Sequence, residues 1–90
     1  MDFTKKITIP KTVFVQRVDD EMVIMDTQSE NYFGLDAIGS QMWQILVKES
    51  SLKNLKKRIL AMYEVEESVL ERDIEIFVNE LLKNKLITIG

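Results

Sequence analysis

Ninety residues without cysteine or histidine exclude disulfides, thiolate metal sites and cysteine nucleophiles, and also remove the commonest general base and zinc ligand. Twelve basic and fifteen acidic side chains leave a net charge of −3, which disfavours nucleic acid and anionic membrane as partners. The length fits one domain over residues 1–90 that buries roughly 60–65% of its chain surface, so an exposed groove is a more natural site than an enclosed cavity. No apolar run approaches the roughly 20 residues that span a bilayer. Met1 to Lys6 lack the apolar segment of a signal peptide, so a soluble cytoplasmic protein without cofactor or metal is expected.

Residues 1–12 surround the only proline, Pro10, and read as an extended lead-in in which Ile7 and Ile9 form a short edge strand. Val13 to Val18 is rich in β-branched and aromatic residues and predicts a strand. Asp19-Asp20 supplies turn chemistry, and Met22 to Met25 forms a second apolar run. The polar stretch Thr27 to Glu30 breaks it, and Asn31 to Leu35 reads as a third strand, completing an antiparallel meander. The period then changes. Asp36 is positioned to cap a helix over about Ala37 to Val47, with Ile38, Met42, Ile45 and Leu46 on one face and Trp43 beside it. A second helix covers Leu52 to Met62, with Leu52, Leu55, Ile59 and Met62 on its stripe. The third and longest runs from Glu67 to about Asn84, with Ser68 and Glu71 offering an alternative start as a capping box. Leu86 to Ile89 forms an extended apolar tail. The order predicts an α+β domain: a three-stranded antiparallel sheet followed by three α-helices.

The third helix carries the most information. Leu70, Ile74, Phe77 and Leu81 form a core-facing stripe. A narrower flank holds Val69, Asp73, Ile76 and Glu80, which reads either as an ordinary helix edge or as one wall of a groove with an acidic rim. The third strand is a candidate for the facing wall. Phe33 and Leu35 share the core face by period-two alternation, and Tyr32 and Gly34 point the other way. If this strand ends the sheet, its unpaired backbone is a template for an added strand; otherwise one of the termini covers it.

Other features have plainer readings. Lys48 to Arg58 holds five basic residues and one acid, a solvated helix face or a patch for an acidic partner. Asp19-Asp20-Glu21 lacks the ligand spacing of a cation loop and reads as a hairpin turn. Gly34 and Gly39 do not form a phosphate-binding loop. Trp43 reads as a core or near-core anchor.

The run Val23-Ile24-Met25-Asp26, then Tyr32-Phe33-Gly34-Leu35-Asp36-Ala37-Ile38-Gly39-Ser40 and Trp43, resembles the PqqD family. So does the later set Tyr63-Glu64-Val65, Glu71-Arg72-Asp73-Ile74, Phe77-Val78 and Leu81. The ordered set covers about residues 9 to 89 and is specific where its single pieces are not. The resemblance implies a winged helix-turn-helix-like fold. It also implies a free-standing recognition element for ribosomally made peptides, with a precursor's leader laid as an added strand in the cleft between third strand and third helix. The residues placed there are Asn31, Tyr32, Phe33, Gly34 and Leu35 on the strand, and Val69, Asp73, Ile76, Phe77 and Glu80 on the helix. Partners implied are the precursor leader peptide and a separate leader peptidase or maturation enzyme, with the lasso-peptide type somewhat favoured. The competing reading is a winged-helix DNA-binding regulator. Residues 66 to 85, where the recognition helix would lie, carry six acids and three bases, which phosphate would repel. An enzyme is disfavoured, since no catalytic constellation stands out.

Overall fold

Three short antiparallel strands form the main sheet: β2 (Val13–Val18), β3 (Glu21–Asp26) and β4 (Tyr32–Leu35), in the order β2-β3-β4. A two-residue strand, β1 (Ile7–Thr8), precedes them, and three helices follow: α1 (Ala37–Glu49), α2 (Leu52–Met62) and α3 (Glu67–Lys83). A final strand, β5 (Thr88–Ile89), pairs with β1. This computed structural model describes residues 1–19 and 21–90. The architecture is the expected α+β one, three-stranded antiparallel sheet then three helices, but two of its details correct the sequence reading. Ile7 does not extend the main sheet. It pairs with Ile89 in a separate two-stranded unit, and Ile9 lies outside the strand. In the β2–β3 turn, Asp19 adopts a left-handed backbone with φ 57, while Asp20 lies outside the described residues.

The register fixes which side of the sheet meets the helices. Val15, Ile24 and Phe33 lie opposite one another across the three strands. Met22, Ile24 and Leu35 are buried on the helix-facing side, whereas Phe14 and Tyr32 project from the other face, 58% and 73% exposed. Asp26 closes β3 from within. One of its carboxylate oxygens accepts from the Gln28 backbone N–H at 3.1 Å and the other from the Ser29 hydroxyl at 2.7 Å, so the carboxylate folds the β3–β4 loop around itself.

Local groups set several of the helix ends. Asp36 caps α1, its carboxylate accepting from the Gly39 N–H at 2.7 Å, as expected. Ser50 ends α1 in the left-handed region, and Ser51 caps α2 by accepting from the Asn54 N–H at 3.1 Å. The N-terminus of α3 takes neither side of the anticipated capping box: Glu66 holds the cap position without a side-chain hydrogen bond. Lys85, also left-handed, turns the chain out of α3 with its N–H on the Leu82 carbonyl and that of Leu86 on the Leu81 carbonyl.

The core draws on every layer: Ile24 from the sheet, Leu46, Leu55 and Ile74 from the helices, and Leu86 after them, all completely buried. Each such side chain contributes about 1.5–3 kcal/mol, so the sheet is held by the helices rather than by its turns. Helix faces are rotated slightly from expectation. In α1 Trp43 is fully in the core, whereas Ile38 is 41% exposed and Ile45 half-buried. In α2 Met62 is 50% exposed. In α3 Val78 completes the buried stripe and Phe77 is only half-buried at its margin. The buried arc follows which elements pack against each helix, α1 lying against α2 and the sheet and α2 between α1 and α3, and not the strongest apolar residues.

Candidate functional site

Strand β4 is an edge of the sheet. Its only strand partner among the described residues is β3, because the two terminal strands pair with each other instead of covering it. The hydrogen-bond phase tells which backbone groups are free. The Asp26 N–H donates to the Asn31 carbonyl at 2.9 Å, so Asn31 lies in a hydrogen-bonded pair with β3. Alternation then directs Phe33 and Leu35 toward β3, and leaves the N–H and C=O groups of Tyr32 and Gly34 pointing out of the sheet. Two outward-facing residues, 6 to 7 Å apart in an extended chain, are what an incoming strand needs for its first hydrogen bonds (about 3.3 Å per residue).

Helix α3 supplies the second wall, and two contacts set its position. At one end the Asn31 side-chain amide donates to the Asn84 carbonyl, just past the end of α3, at 3.1 Å. At the other, Leu35, Gly39 and Phe77 come together: a methyl group placed on Gly39 would sit 3.3 Å from Leu35 Cδ2 and 3.6 Å from Phe77 Cε1. The absence of a side chain at Gly39 lets the start of α1 sit against both walls. Asn31 thus pins the strand to the helix, a role that its amide could not reveal from sequence.

The structure distributes the ten expected site residues unevenly. Tyr32 and Gly34 are exposed at the edge, Asn31 and Phe33 are half-buried, and Leu35 is buried as part of the floor. On α3, Phe77 borders the core while Asp73 and Glu80 are exposed. Val69 and Ile76 are 46% and 56% exposed. Ile76 sits about 100° round the helix from Phe77. It borders a cleft on the far side of α3 with Met1 and Phe3, so among the expected helix residues it is the one turned furthest from β4. The acids on this flank accept no protein hydrogen bond or salt bridge through their carboxylates, among those resolved for the described residues, which leaves them free to face a guest. The basic run behaves differently. Lys56 bridges Glu67 at 3.0 Å and Glu71 at 3.3 Å, fastening α2 to α3, and Arg58 pairs with Glu49.

An open sheet edge beside an apolar, acid-rimmed helix flank, carried on a winged-helix-like scaffold, defines a class of domain that accepts an extended peptide as a further strand. The profile of the family described as Coenzyme PQQ synthesis protein D (PqqD) matches residues 21–87, and the chain belongs to that family. Two solved structures share its fold. One, TbiB1 in complex with the TbiA(beta) leader peptide, is 34% identical, covers 88% of this chain and 92% of its own, and superposes with a TM-score of 0.80. The other, lasso peptide synthetase B1 complexed with the leader peptide, is 26% identical, covers 92% and 98%, and has a TM-score of 0.81. No curated protein sequence matches the chain.

Proposed function

We infer that this chain is a non-catalytic adaptor that captures the leader segment of a ribosomally made precursor peptide and presents it to a separate leader peptidase or modifying enzyme. The observation that carries this reading is the free β4 edge, with the backbone of Tyr32 and Gly34 directed outward beside Val69, Asp73, Ile76, Phe77 and Glu80. Main-chain bonds to β4 supply affinity that tolerates sequence change, and alternate leader side chains enter the groove against Phe77 and Ile76. That both similar structures were solved holding leader peptides supports this occupant over any other extended segment. The sequence contains no histidine or cysteine to act as nucleophile or base, which supports an adaptor over a peptidase.

DNA binding is the weaker reading. Helix α3 carries Glu67, Glu71, Asp73, Glu75 and Glu80 against Arg72 and Lys83, so phosphate would meet a net negative helix. The deciding experiment is calorimetric titration with leader peptides of precursors encoded beside the gene, followed by mass spectrometry of the mixture. The expected result is a dissociation constant in roughly the nanomolar to micromolar range, about −8 to −12 kcal/mol, with the peptide intact. Absence of binding to every such leader, or hydrolysis by the protein alone, would contradict the reading.

A further inference from the structure

The other edge of the sheet is open as well. Strand β2 pairs only with β3 among the described residues, and it is the longer edge, six residues against four in β4. Its phase follows from the Thr27 N–H donating to the Thr12 carbonyl at 2.9 Å. Phe14, Gln16 and Val18 therefore bond inward to β3, while Val15 and Arg17 direct their N–H and C=O groups away from the sheet. Natural edge strands are usually blunted by proline, bulges, shortness or repeated charge. In β2 none of these applies except the single charge of Arg17, and Val15 and Val18 remain 40% and 51% exposed.

Beside this edge runs an open apolar trough. A cleft of about 540 Å³ lies between β2 and the helices, bordered by Val15, Met22, Trp43, Val47, Lys48 and Met62. A second cleft of about 550 Å³ continues it toward the N-terminal segment and shares Val15, Trp43 and Val47. Val47 and Met62 are 55% and 50% exposed. The trough thus repeats the plan of the β4 groove, a free strand edge facing an apolar helix wall, with the charge reversed. Its rim carries the Arg58–Glu49 pair, whose charges offset each other, and Lys48, which has no carboxylate within salt-bridge distance among the described residues; Arg17 follows on the same side of β2 as Val15. The β4 groove is rimmed by Asp73 and Glu80.

We propose that β2 is a second strand-docking site, and that its occupant is an extended segment of a partner protein whose trough-facing residues, every second one along the strand, include both apolar and acidic side chains. Lys48 and Arg17 select the acids, Val15, Val47 and Met62 take the apolar side chains, and Val15 and Arg17 supply the main-chain bonds. The two edges are separated by β3, about 10 Å across two strand spacings, so both can be filled at once. An adaptor holding a peptide on one edge then has the opposite edge for the protein that receives it. The site itself stands on the β2 geometry and does not depend on what β4 binds.

The test uses the whole chain, alone and with leader peptide bound, titrated with a capped twelve-residue peptide of Val-Thr-Glu-Thr repeats, which sets valine and glutamate in turn on one strand face. Amide chemical shifts and the fluorescence of Trp43, the only tryptophan, report on the trough. The proposal expects shifts at Val15 and Arg17, a Trp43 response, and undiminished binding when leader is present. Val15→Pro removes an outward N–H without breaking the ladder to β3 and should abolish binding of the probe while leader affinity is kept. Val47→Asp, an exposed helix substitution that leaves the sheet untouched, should weaken it several-fold, and Lys48→Glu likewise; a lysine-for-glutamate probe should bind more weakly than the original. Competition between probe and leader, shifts confined to β4, or no binding at millimolar probe would overturn the proposal. Concentration-dependent dimerisation abolished by Val15→Pro would overturn it too, by assigning the edge to a second copy. Loss of leader binding with probe binding intact would count against the adaptor reading only.

Discussion

Asp26 is the one ionisable side chain that the core takes in among the described residues, with 7% of its surface exposed. Hydroxyl hydrogen bonds from Thr12 and then Ser29 hold its carboxyl at about 2, below the ordinary 3.8. A carboxyl whose folded value is depressed adds stability that is fully present above the unfolded value and is lost as pH falls through the folded one. The window here runs from about pH 4 down to about pH 2. Urea midpoints for the native chain should fall across that window more steeply than those of Asp26→Asn, which should already be lower at pH 7 because the β3–β4 loop loses a charged acceptor. Parallel curves for the two proteins would show that Asp26 does not organise the loop. Its placement before the turn was legible as a sequence pattern. Its burial and the hydroxyls that tune it belong to residues 3 and 14 positions away, which no local pattern announces.

At the scale of elements, the helices and the meander could be read from periodicity because each repeats its signal over at least one full turn or strand. The faces were read less well. Trp43 is buried as the core anchor it was expected to be, but Ile38 is exposed, and on α3 Val78 is buried where Phe77 was the stronger candidate. The pairing of β1 with β5, which joins Thr8 to Thr88 and Ile7 to Ile89 across about 80 positions, has no local signature at all. That long-range pairing decided the question the sequence left open, because it keeps both termini off β4. The strand now makes a sharp distinction between neighbouring positions. Gly34→Pro removes an N–H that points outward and should fold with a melting temperature close to native, yet lose leader binding by at least an order of magnitude. Phe33→Pro removes an N–H directed at β3 and should destabilise the fold itself, a loss visible by circular dichroism. Equal behaviour of the two would mean that the phase assigned to β4 is wrong. On α3, Asp73→Asn and Glu80→Gln should each weaken a leader bearing a nearby Lys or Arg by about 0.5–1.5 kcal/mol, with the difference shrinking at high salt. A large drop in melting temperature for Asp73→Asn with affinity preserved would assign that residue a structural role.

Over the whole molecule, charge is segregated. Helix α2 carries Lys53, Lys56, Lys57 and Arg58 with no acid, and α3 carries five acids and two bases. Lys56 joins the two through Glu67 and Glu71, and those ion pairs, with the Lys56 ammonium also 5.0 Å from the Phe3 ring centroid, use part of the basic run for packing. What remains exposed is Asp73 and Glu80 on α3 and Lys48 beside β2. The central claim is that the leader adds to the acid-rimmed edge, and amide hydrogen exchange with and without leader tests it most directly. The account predicts new protection at Tyr32 and Gly34, whose N–H groups point outward, with little change at Phe33 and Leu35, already bonded to β3, or along α2. Protection that appears on α2 or β2 while Tyr32 and Gly34 exchange as before would contradict it.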